Sequence, residues 1–184
     1  MVFYHVALSK VALIIALGYL LFGGVTWFCF EPAKKFFLHF HRNTWVGIGL
    51  FLIVTGWTLW LTYEIDLMEY TAYRQTLLVI LFALAFFVLF HAREYLSVRA
   101  LAVLLLLGAN VMLDSAFLDD RAVKYPFVLL AYIHITLAMV IAGMPYLFRD
   151  SMKFLYAQPK RMRALLSASC FLGVVLLALS LWVF

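Results

Sequence analysis

His134 lies in the segment Tyr132-Ile133-His134-Ile135, in the middle of a long apolar run. An ionisable group at such a depth is costly in lipid and turns toward the protein interior or a cavity. A neutral imidazole there can ligate a haem iron or another pigment, hydrogen-bond a quinone, or tie two helices together. The last role needs nothing beyond a hydroxyl on another helix.

His39, His41 and His91 form a second group, with Glu31 and Glu94 at a similar depth. Imidazoles and carboxylates together can bind zinc or iron. The spacing His39-x-His41 counts against a helical site, because residues two apart diverge by about 200° around a helix axis. Segment 34–42 also reads as an amphipathic stretch at the level of the lipid headgroups. His91 and His134 make a poor pair of haem ligands, since one ends its run and the other sits about 12 Å inside its own.

A third group is polar but not metal-binding. Arg99, Asn110 and Asp114 interrupt the fourth apolar run, and Asn110 and Asp114 are four apart and share a helix face. Thr55, Thr58 and Thr62 make a hydroxyl stripe in the second run. Such stripes line ion paths or hold helices together, as do the small-residue pairs Ser169-xxx-Gly173 and Ala138-xxx-Ala142. Glu64, Asp66, Glu69, Asp114, Asp119 and Asp120 gather on the opposite side from the basic loops and offer a surface for Ca²⁺ or a basic partner, without EF-hand spacing. The sequence has no Ser-His-Asp order, P-loop, dinucleotide fingerprint or HExxH motif.

These residues must be positioned by six apolar runs, residues 10–30, 44–62, 75–90, 98–113, 127–148 and 164–184. The expected fold is all-α, an integral membrane helical bundle forming one transmembrane domain over 1–184. The runs are continuous rather than alternating, which excludes a β-barrel. The third and fourth have about 16 apolar residues each, about 24 Å of helix, against a hydrocarbon core of about 30 Å. They are expected either to snorkel through Arg93 and Arg99 or to form a re-entrant hairpin. Glu31-Pro32 is expected to stop the first helix, Ser97 to cap the fourth, Pro126 to open the fifth, and Pro159 to lie in the loop before the sixth. The first run is too long for a signal-peptide core and reads as a retained helix. Cys29 and Cys170 read as buried structural thiols.

Composition agrees. Of 184 residues, 67% are hydrophobic and 12% charged, against about 25% charged in soluble domains. The surplus apolar surface faces lipid. The net charge of +5 belongs to loops and anionic lipid rather than to nucleic acid. Lys34, Lys35, Arg42, Arg93, Arg99, Arg149, Lys153, Lys160, Arg161 and Arg163 all fall on one side. Only Lys10, Arg74, Arg121 and Lys124 fall on the other. The bias predicts a cytoplasmic basic side and both termini outside.

Residues 93–101 (Arg-Glu-Tyr-Leu-Ser-Val-Arg-Ala-Leu), 113–118 (Leu-Asp-Ser-Ala-Phe-Leu) and 143–150 (Gly-Met-Pro-Tyr-Leu-Phe-Arg-Asp) carry a likeness. Over roughly 93–150 the chain resembles a family of uncharacterised small polytopic membrane proteins from bacteria. The resemblance implies a bacterial inner-membrane location. It also implies that Arg99, Asp114 and Arg149-Asp150 belong to a common scaffold. It implies no activity.

Many spans, tiny loops and no catalytic set point first to a non-catalytic accessory subunit of a larger membrane complex, of which bioenergetic complexes are one kind. The alternatives are a redox anchor holding haem or quinone, and a small transporter or channel. The expected partners are membrane lipids, anionic ones at the basic side, and other membrane subunits.

Overall fold

The computed structural model describes residues 7–64, 67–91, 95–117 and 124–182. Among these residues the chain is helical, with eight α-helices and no strand. Six are long and apolar enough to cross a membrane: α1 (Leu8–Phe28), α3 (Thr44–Glu64), α4 (Arg74–His91), α5 (Leu96–Phe117), α6 (Lys124–Gly143) and α8 (Pro159–Trp182). The other two, α2 (Phe30–His39) and α7 (Pro145–Ala157), are shorter and mix apolar with basic residues. The all-α bundle with six apolar helices is as the sequence indicates.

The third and fourth spans are not short. The helical segment Tyr70–His91 and α5 have 22 residues each, about 33 Å of helix. What is short is the uninterrupted apolar run. Around α5, helix continues through Ser97, Asp114 and Ser115. The shortfall that suggested a re-entrant hairpin is therefore absent. Arg93 and Glu94 lie outside the described residues, and Arg99 is exposed.

Small residues determine which helices close on each other. The tightest pair is α1 with α8. A Cβ added at Gly173 would lie 2.8 Å from Leu20 Cγ and 3.1 Å from the Ala16 carbonyl oxygen. One added at Gly23 would run into Cys170 Sγ, with the Leu166 carbonyl oxygen at 3.2 Å. Ser169 lies one turn from Gly173 and donates its hydroxyl to the Tyr19 carbonyl at 3.2 Å. The expected Ser169–Gly173 pair is thus a close approach of two backbones. Of the second pair, Ala138 is buried but Ala142 is exposed. α5 is the hub of the remainder: α6, α3 and α1 all pack on it. Gly47 of α3 meets the start of α5, where a Cβ would lie 3.0 Å from the Ser97 nitrogen.

The helix ends and Cys29 correct five expectations. α1 stops at Phe28, before Glu31-Pro32, through the non-helical Cys29 (φ −105°, ψ 48°); Pro32 sits inside the first turn of α2, where its missing N–H matters least. Cys29 is exposed at that break rather than buried. Ser97 does not cap α5. Its buried hydroxyl donates to the Phe40 carbonyl at 2.7 Å and ties α5 to the 3₁₀ turn Phe40–Arg42. The fifth span ends at Gly143, and Pro145 starts α7 anew, while Pro159 opens α8 instead of lying in a loop.

α2 and α7 pack against each other at one end of the bundle. Phe30 meets Tyr156 with ring centroids 5.7 Å apart. Tyr156, Met162 and Leu166 form a buried cluster there with Phe37 and Leu38 alongside. Two amphipathic helices joined by aromatic contacts make a layer suited to the headgroup region.

Candidate functional site

His134 faces α1. Its Nδ1 lies 2.8 Å from the Leu130 carbonyl oxygen, one turn back on α6. Its Nε2 lies 2.8 Å from the Tyr19 hydroxyl. A carbonyl only accepts, so Nδ1 carries a proton and donates it to Leu130, while Nε2 shares a hydrogen bond with the Tyr19 hydroxyl. The two rings meet edge to face at 5.9 Å. Both ring nitrogens are therefore satisfied. An interhelical hydrogen bond was among the expected roles, but the partner is a tyrosine. Tyr19 was not singled out from the sequence. Its signal is a phenol hydroxyl near the middle of the first apolar run, at a depth comparable to that of His134.

Beside this pair is a cavity of about 410 Å³ walled by α1, α3, α5 and α6. Val11, Ile14, Trp57, Leu105, Gly108 and His134 are among its lining residues. This volume is in the range of small-molecule pockets. A Cβ added at Gly108 would touch nothing within 4 Å, so the glycine leaves space that a side chain would fill. The wall suits a hydrocarbon chain or a lipophilic ring. An iron atom could be ligated by His134 Nε2 only if the Tyr19 hydroxyl moved away.

The other histidines do not converge. His39 Nδ1 bonds the Lys35 carbonyl at 2.9 Å. His91 stacks on Phe87 at 4.2 Å and bonds its carbonyl at 3.3 Å. His41 stacks on Tyr95 at 5.8 Å. Among the described residues, no group of three or more His, Cys, Asp or Glu side chains is placed to hold a metal ion. Glu94, Asp66, Asp119, Asp120 and Arg121 lie outside the described residues, as does the side chain of Glu69.

The polar stripes are separate from the cavity. Thr58 donates to the Val54 carbonyl at 2.9 Å and Thr62 to the Thr58 carbonyl at 2.8 Å, so both hydroxyls are engaged by their own helix. Asn110 is exposed and Asp114 half-buried. Their neighbours Ala109 and Met112 turn to the cavity instead.

At the basic end, Arg149 Nε donates to Asp150 at 2.8 Å. That hydrogen bond holds the Asp150 carboxyl below the usual carboxylate range. His41 is held below its ordinary 6.5, first by burial and then by the positive charges of Arg149, Arg42, Lys153 and His39.

Taken together, the fold defines a polytopic α-helical membrane protein with an apolar intramembrane cavity and a basic amphipathic layer at one end. The chain matches no family model, no curated protein and no solved structure.

Proposed function

We propose that this chain is a non-catalytic accessory subunit of a larger assembly in the bacterial inner membrane, with its basic end in the cytoplasm and both termini outside. The orientation is supported by the charge bias, and six apolar helices among the described residues agree with both termini on one side. The observation that carries the subunit reading is α4. Along Arg74–His91 no residue is buried, and α3 is the main neighbour that holds it. Val79, Phe82 and Phe86 are each 59% or more exposed. Membrane helices associate through van der Waals packing, and a helix anchored on one side offers the rest of its surface to a second protein. Mild-detergent extraction followed by native gels tests this. The chain is expected to migrate in a complex, and Phe82→Ala with Phe86→Ala is expected to release it with its own melting temperature unchanged. A chain that always runs as a lone monomer sinks the proposal.

A second reading, a redox anchor, is supported by the cavity beside His134. In that reading a quinone ring or its isoprenoid tail occupies the space left by Gly108. Solvent extraction of the purified protein should then yield a quinone, and Gly108→Leu should abolish its recovery. An absorbance spectrum without a Soret band removes the haem version.

A further inference from the structure

We propose that the junction of the 3₁₀ turn Phe40–Arg42, the start of α5 and the first turns of α7 is a binding site for a phosphate group, formed by His41, Arg42, Arg149 and Lys153. The proposal deepens the reading that the basic end meets anionic lipid, and it rests on that reading rather than on the subunit role.

Three contacts fix the place. Ser97 at the start of α5 donates to the Phe40 carbonyl at 2.7 Å. Phe40 packs on Phe148 of α7 at 5.6 Å. His41 stacks on Tyr95 with an interplanar angle of 21°. Tyr95 has a left-handed backbone (φ 57°), an arrangement that is unfavourable for a tyrosine and persists only where surroundings impose it. Tyr95 also interacts electrostatically with Arg149. Tyr95 thereby fixes the His41 ring beside the start of α7, where Arg149 follows Phe148.

The charges gathered here are mostly of one sign. Arg42, Arg149 and Lys153 all act on His41, together with His39. Among the described residues, the carboxylate paired with them is Asp150, bonded to Arg149. Converging cations repel unless an anion joins them. His41 Nδ1 is buried with no hydrogen-bond partner among the described residues, a costly state that an oxygen-bearing ligand relieves. The same elements, with Ile141 of α6, carry the buried apolar cluster of Phe40, Val98, Ile141 and Phe148, with Met152 and Leu101 against it. A charged rim over an apolar base has the polarity of a phospholipid, whose phosphodiester would take the cations while its chains follow the bundle. Free phosphate carries the same oxygens without the chains.

The test uses the purified full chain in phosphatidylcholine bilayers with or without phosphatidylglycerol, reading the melting temperature and, by native mass spectrometry, the lipid retained. Phosphatidylglycerol is expected to be retained preferentially and to raise the melting temperature. Lys153→Gln, at an exposed position whose replacement leaves the packing intact, is expected to lower retention about fivefold. Arg149→Gln is expected to do at least as much. Lys160→Gln, on the same basic side but outside the junction, should leave retention unchanged. Full competition by inorganic phosphate supports the site with free phosphate as its ligand. Equal losses with Lys160→Gln and Lys153→Gln overturn the site while leaving a diffuse basic face. No preference for phosphatidylglycerol in the unaltered chain overturns both.

Discussion

The α1–α8 seam and α4 are built from similarly apolar sequence and behave in opposite ways. In the seam, Ala16, Gly23, Ser169 and Gly173 let two backbones approach until a single added carbon would collide. In α4, Phe82, Phe86, Phe87 and Phe90 project outward and no residue is buried. Lipid tails are as apolar as leucine, so hydrophobicity alone cannot tell a membrane helix which neighbour to choose. Close contact between small surfaces does, and a buried hydrogen bond such as Tyr19 to His134 adds direction.

That contrast can be broken most sharply within α1 itself. Gly23→Leu should destabilise the protein by about 1–3 kcal/mol or more through overpacking against α8. Gly24→Leu, the adjacent position with nothing within 4 Å, should lie within about 0.5 kcal/mol of the unaltered chain. Thermal unfolding in detergent measures both. Equal effects would mean that the seam is not the rigid part.

Next in size is the polar link. Tyr19→Phe removes the hydroxyl bonded to His134 Nε2 and should cost about 0.6–1.7 kcal/mol, the range found for hydrogen bonds inside membranes. Adding His134→Phe to it should cost less than the sum of the single changes, because the pair acts as a unit. Strict additivity would show that the two rings do not interact.

A smaller effect is expected from pH. The folded protein holds His41 below its ordinary 6.5, whereas the unfolded chain protonates it there. The unfolded state therefore binds more protons as pH falls through 6.5, and stability declines in that direction. Melting temperatures at about pH 7.5 and about pH 5.5 should show a drop that His41→Gln reduces. Asp150, held low by Arg149, adds stability that is lost only as pH falls from the ordinary carboxylate range through its lowered pKa.

The smallest effect belongs to α4. Phe82→Ala alone should change the stability of the isolated chain by no more than about 0.5 kcal/mol, because the side chain is 61% exposed. A loss comparable to that at Gly23 would show that α4 is a structural helix of this bundle rather than a surface.

Much of the fold is legible in the sequence because membrane solvation imposes long apolar helices whatever their packing. The helix ends are less so. Pro32, Pro145 and Pro159 each fix a backbone angle near a helix start, but the proline alone does not say whether one helix stops there or the next begins. The start of α7 is hidden in the sequence because Tyr146, Leu147 and Phe148 extend the apolar run of the fifth span past Pro145. His134 stands out as costly, whereas Tyr19 does not, since a tyrosine in an apolar run is inconspicuous until a partner is found. Ser97 looks like a cap because caps are local and the Phe40 carbonyl is 57 residues away in the chain.

The sequence by itself determined the solvent of this protein, its six apolar helices and the segregation of its charges, because each arises from local composition. Only the tertiary structure decided that His134 is bonded to Tyr19, that Gly23 and Gly173 close a seam while Gly108 opens a cavity, and that His41 stacks on Tyr95 while Phe40 packs on Phe148. These outcomes depend on which helix faces lie opposite one another. In an environment where every face is equally apolar, that choice rests on shape and a few hydrogen bonds.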